Sequence, residues 1–137
     1  MYQVTDLERE LRKAIEELKK RGDERSIKMA STYEARLKQL VEKVLPVYEK
    51  TKKGEPLTLD DLINAMSLTC FGNIMYCCAA SKPCPWRDSA LSALGIDEAT
   101  YTRMKRLYLF PFLKSAGVNA DWEKIKKELA ERSRKPK

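Results

Sequence analysis

The stretch "TDLERELRKAIEELKKRGD", Thr5 to Asp23, decides the fold class. Leu7, Leu11, Ile15 and Leu18 recur at three- and four-residue spacing, which lines them along one stripe of an α-helix. Thr5 or Asp6 stands where an N-cap is needed, and Gly22 supplies the left-handed residue on which helices commonly end. Asp23 then caps a second helix, with Ile27, Ala30, Tyr33, Leu37, Leu40, Val41 and Val44 as its expected apolar stripe. So short a break predicts an antiparallel helical hairpin over residues 1–53. Pro46 is expected to end or kink the second helix near Leu45.

Working outward, "KTKKGEP" reads as a loop, after which Thr58 and Asp61 form a Thr-x-x-Asp capping box. The helix it opens carries Leu59, Leu62, Ile63 and Met66. Asp97 caps a further helix with Tyr101, Met104, Leu107 and Tyr108 on its stripe, interrupted by Pro111. "NADWEKIKKELAERSRK" makes a last one, with Trp122, Ile125 and Leu129 facing inward. No run alternates with period two between hairpin turns, so no sheet is expected, and there is neither an internal repeat nor a glycine-rich phosphate loop. The expectation is an all-α fold. One helical domain spans residues 1–132, divided into the 1–53 hairpin and a cysteine-rich helical core over 58–132, with a frayed basic tail at 133–137.

The composition fits a soluble globular chain: 137 residues, 43% hydrophobic and 34% charged. Lys, Arg and Glu dominate the charged set while Asn and Gln are scarce, a bias shared with hyperthermophile proteins. No apolar run approaches the roughly 20 residues that span a bilayer, and "MYQVTDLERE" lacks the pattern of a secretory signal. A cytoplasmic protein with no membrane contact is therefore expected.

Histidine is absent. That removes Ser-His and Cys-His nucleophiles, histidine general bases and mixed Cys/His zinc sites. The paired carboxylates Glu16–Glu17 and Asp60–Asp61 read as a solvated face and a capping turn, so an enzyme is not the expected class.

Net charge is distributed as +4 over residues 1–53, −4 over 54–102 and +7 over 103–137. The basic flanks suit an acidic protein partner or nucleic acid, and equally suit solvated helix faces. The hairpin also offers a face through which a homodimer can form.

The acidic middle third holds every cysteine of the chain in "CFGNIMYCCAASKPCPWRD": Cys70, Cys77, Cys78 and Cys84. On an unbroken helix Cys70 and Cys77 would lie about 10 Å apart along the axis, too far to share a zinc ion or a disulfide. Gly72 and Asn73 argue against that continuity. Cys84 sits between two prolines, which suits it to the N-cap of a helix with Pro85 in the first turn. A helix N-terminus favours the thiolate; Arg87 can add positive potential there, and Asp88 can accept from loop amides. Zinc sites usually show paired Cys-x₂₋₄-Cys knuckles, which are lacking here. Four cysteines with varied spacing and a Cys-Pro step fit a [4Fe–4S] ligand set better. Zinc, a disulfide such as Cys77–Cys84 or Cys78–Cys84, and plain packing of small apolar side chains remain open.

"CFGN", "CC" and "KPCPWRD", followed by "LGI" and a Tyr/Lys helix, resemble the cysteine-rich segment of the archaeal methanogenesis-marker protein family numbered nine. The resemblance covers roughly residues 66–108. It implies a metal centre at the matching positions Cys70, Cys77, Cys78, Cys84, Arg87 and Asp88, and it implies no particular reaction.

"YTRMKRLYLFPFLKS" interleaves Tyr101, Tyr108, Phe110 and Phe112 with Arg103, Lys105 and Arg106. Single-strand nucleic-acid binders join aromatic platforms to basic grooves in this way, although aromatics at helical spacing usually belong to a core. The expected function is a small metal-binding helical protein, a four-Cys iron–sulfur carrier or accessory factor serving a protein partner. The alternative is a non-catalytic module docking nucleic acid or an acidic protein through its basic helices.

Overall fold

The computed structural model describes residues 2–69, 84–104 and 107–134. Helix α1 (Val4–Arg21) buries Val4, Leu7, Leu11, Ile15 and Leu18 along the stripe read from the sequence. It starts earlier than expected, with Gln3 at the N-cap. Asp6 is the acid of the first turn and accepts the Gln3 N–H at 2.8 Å. The reason is tertiary: Val4 is wholly buried, and the Gln3 side chain accepts hydrogen bonds from the Tyr48 and Ser92 hydroxyls, each at 3.0 Å. Gly22 ends α1 at φ 71°. Asp23 caps α2 (Glu24–Gln39), accepting the Ser26 N–H at 3.1 Å. The two helices form the antiparallel hairpin, and Lys19 of α1 pairs with Glu34 of α2 at 3.0 Å.

The chain does not stop at Pro46. A single π-helical turn, Leu40–Val44, follows α2 and leads directly into α3 (Leu45–Lys53). The Leu45 N–H bonds to the carbonyl of Leu40, five residues back. A proline inside an α-helix removes one ladder bond and collides with the carbonyl four residues earlier; the wider π turn gives that carbonyl room. The second expected stripe is only partly covered. Ala30, Leu40 and Val44 are buried, whereas Ile27 is 52% exposed and Val41 38%.

Helix α3 takes in the lysines expected to form a loop and ends at Gly54. The capping box of α4 (Leu59–Ala65) forms as read: the Thr58 N–H reaches Asp61 at 2.9 Å and the Asp61 N–H reaches the Thr58 hydroxyl at 3.1 Å. Beyond a cysteine segment that lies outside the described residues come α5 (Pro85–Leu94), α6 (Glu98–Met104), α7 (Leu109–Ser115) and α8 (Trp122–Arg134). Pro111 interrupts no helix. It occupies the first turn of α7, where its missing N–H is not needed.

One contiguous buried cluster joins Val4 and Leu11 of α1 to Leu62, Leu91, Phe112 and Ile125. The fold is all-α. Among the described residues the only β-type contact is an isolated parallel bridge between Leu57 and Ala120. No described helix is long and apolar enough to cross a membrane.

Candidate metal centre

Cys84 is the N-cap of α5, with extended backbone (φ −134°, ψ 110°) and Pro85 in the first turn. Its carbonyl accepts the Asp88 N–H at 2.9 Å, and its side chain is buried. The local reasons are those legible in the sequence: the flanking prolines hold the chain extended ahead of the helix. Cys70, Cys77 and Cys78 lie outside the described residues. Helix α4 ends at Ala65, ahead of Cys70 and earlier than the Gly72–Asn73 step.

The two ends of the cysteine segment are tied to one side chain of α2. Arg36 donates from Nη1 to the Leu68 carbonyl at 3.2 Å, and its Cζ lies 5.2 Å from the centroid of the Trp86 ring. Gln39, one turn further, donates from Nε2 to the Ser67 carbonyl at 3.1 Å. These contacts satisfy carbonyls of the turn that follows α4. Leu68 and Trp86, which flank the cysteine segment, are thus both held against α2.

Arg87, one turn into α5, is 5% exposed. Its Nε lies 3.4 Å from Asp88 Oδ1, and its Cζ lies 5.2 Å from the Tyr101 ring centroid. Asp88 acts as a partner of Arg87, and it also lines a small cavity of about 50 Å³ with Tyr2, Leu91, Ile96 and Glu98. Burial, followed by the hydrogen bond to Glu10, pushes the Tyr2 hydroxyl well above the usual tyrosine range. Among the described residues the buried Ser67 hydroxyl has no hydrogen-bond partner. Among the described residues no three Cys, Asp or Glu side chains converge as metal ligands, so Cys84 is the one candidate ligand whose surroundings are described.

Sequence reasoning singled out Cys84, Arg87 and Asp88 as candidates; the contacts of Arg36 and Gln39 beside the cysteine segment were not among its expectations. An arginine on an amphipathic helix carries no local mark of a partner 32 residues away.

In "YTRMKRLYLFPFLKS" Tyr101 and Phe112 belong to the core, the usual reading of aromatics at helical spacing, and form no exposed platform. Both are buried, edge to face, with ring centroids 5.9 Å apart. Arg103 is exposed beside Thr100, Lys105 and Arg106 lie outside the described residues, and Tyr108 stands in solvent, 80% exposed.

No family model matches the chain, and no solved structure matches it. A stretch of 38 residues, 28% of the chain, is 42% identical to an uncharacterised protein of Methanocaldococcus jannaschii, MJ0115, and covers 24% of that protein. The chain therefore matches about a quarter of that archaeal relative's length.

Proposed function

We propose that this chain is a small helical metalloprotein, a carrier or accessory factor holding a [4Fe–4S] cluster on Cys70, Cys77, Cys78 and Cys84, and a relative of the archaeal methanogenesis-marker family numbered nine. The observation that carries this is the hold of Arg36 on Leu68 and Trp86, which flank the cysteine segment. Gathering several thiolates costs loop entropy, and a loop whose ends are already held loses less on binding. The charge around Cys84 supports the same reading. A four-thiolate cluster is anionic, and the N-terminus of α5, which Cys84 caps, offers compensating positive potential. The Ser67 hydroxyl, without a partner among the described residues, supports it as well, since hydrogen bonds to cluster sulfurs help to set the potential.

The test is the visible spectrum and metal content of protein purified without oxygen. The expected sample is brown, with broad thiolate-to-iron charge-transfer absorption. A colourless sample holding one zinc per chain would retain the site and change the metal. A colourless sample free of both metals after reconstitution would rule out the proposal, and a thiol titration would then show whether the cysteines are bridged.

A further inference from the structure

Phe112 and Leu113 of α7 and Ile125 of α8 are buried in the same core cluster. Residues of both helices line an open, mainly apolar groove of about 480 Å³. Trp122, Ile125 and Leu129 of α8 form its floor, and Pro111 of α7 forms one wall. Trp122 and Leu129 are only partly buried, so the groove presents apolar surface to solvent. Trp122 and Leu129 are seven residues apart, about 10 Å along the axis. That is the reach of the i, i+3/i+4 and i+7 side chains by which an amphipathic helix docks into a groove.

The rim favours one kind of helix. Lys114 lies on the α7 side and Lys126 on the α8 side. Neither has a carboxylate partner among the described residues, in contrast to Lys19, Lys20 and Lys50, which are paired. Glu123 lies at the Trp122 end, so the groove is not uniformly basic. Two uncompensated ammonium groups across an apolar floor complement apolar anchors flanked by carboxylates. Nucleic acid fits less well, because it needs stacking faces and the Trp122 ring is partly buried in the floor.

We propose that the α7–α8 groove is the docking site for an acidic amphipathic helix of a partner protein. This rests on the groove alone and stands whether or not the cysteines hold a cluster.

The probe is a fluorescein-labelled helical peptide of about 18 residues, with leucines at three- and four-residue spacing and glutamates between them. It is titrated by anisotropy against the full chain. Saturable micromolar binding is expected, together with at least about tenfold weaker binding to K114E/K126E. Leu129→Asn should weaken binding similarly, while K13E/K28E on the hairpin should leave it unchanged. Far-UV circular dichroism verifies that each variant is folded, and the lysine pair stands as the decisive variant if Leu129→Asn unfolds. The proposal is overturned if the peptide does not bind, if a scrambled peptide of equal composition binds as well, or if K114E/K126E binds undiminished. It is also overturned if dodecanoate or a single-stranded oligonucleotide occupies the groove and the peptide does not.

Discussion

The guanidinium of Arg36 lies over the ring of Trp86, 5.2 Å from Cζ to centroid, while the same group holds the Leu68 carbonyl at 3.2 Å. One side chain on the hairpin thereby fixes the entry and the exit of the cysteine segment. A cation over an indole contributes about 0.5–1 kcal/mol at exposed sites and more where water is excluded. A charged hydrogen bond adds about 1.5–3 kcal/mol when it is not remade with water.

Arg36→Gln should accordingly lower unfolding stability by about 1–2 kcal/mol. Arg36→Lys should restore less than half of that, because an ammonium cannot stack on Trp86 and bond to Leu68 in the same planar geometry. Urea unfolding of the three proteins checks both expectations. A lysine variant as stable as the parent would show that charge alone matters.

Two aromatics of the C-terminal third, Phe112 and Tyr108, should part company on truncation. Phe112→Ala removes a fully buried ring from the contact with Tyr101 and should cost about 3–5 kcal/mol. Tyr108→Ala removes a solvent-exposed ring and should stay within about 0.5 kcal/mol of the parent. Equal losses in thermal unfolding would contradict the assignment of Phe112 to the core.

Two helix-ending glycines make a matched pair. Gly22 (φ 71°) has open space where a Cβ would stand, whereas a Cβ on Gly95 (φ 75°) would meet Thr51 Cγ2 at 3.0 Å. Thr51 is held there by its hydrogen bond to the Ala93 carbonyl. Gly22→Ala should cost about 1–2 kcal/mol for the left-handed backbone alone. Gly95→Ala should cost more, since a well-anchored neighbour must also move. Denaturant midpoints rank them.

Lys50 and Asp61, 2.8 Å apart, tie α3 to α4. Burial acts to raise the Asp61 carboxyl, but the Lys50 ammonium and the Thr58 N–H and hydroxyl outweigh it and hold it below the usual carboxylate range. The hydrogen bond to Asp61 raises Lys50. A lowered carboxyl stabilises the fold above the unfolded aspartate value of about 3.9 and loses that contribution as pH falls through its folded value. A raised ammonium stabilises below about 10.4 and loses its contribution as pH rises through its folded value. Asp61→Asn should therefore be about 1 kcal/mol less stable than the parent across neutral pH, with the gap closing in acid and again in strong base. A gap of constant size down to strong acid would contradict the pairing.

Much of the fold was legible because it is written in local chemistry. The α1 stripe, Gly22, Asp23, the Thr58–Asp61 box and the Asp97 cap (which accepts the Thr100 N–H) each depend on neighbours within a few residues. So does Cys84 before Pro85. What escaped depends on distant partners. Pro46 reads locally as a stop, yet packing of Val44 and Val47 in the core holds the helix together through a π turn. Ile27 and Val41 share a stripe with Ala30 and Leu40, but which part of a stripe finds a neighbour is decided by how far α1 and α4 reach. The roles of Arg36 and Gln39 follow from where α4 ends, and no residue near them in the chain encodes it.

The central claim is that Cys84 holds a metal cluster at the foot of a segment whose flanks Arg36 holds. The most direct measurement is iron and acid-labile sulfide per chain in anaerobically reconstituted parent and Cys84→Ser proteins, with far-UV circular dichroism on both. The account predicts iron and sulfide in equal amounts in the parent and their loss in Cys84→Ser, with helical content unchanged. Contradiction would come from a Cys84→Ser protein that keeps the parent's iron and sulfide, or from a reconstituted parent that takes up neither.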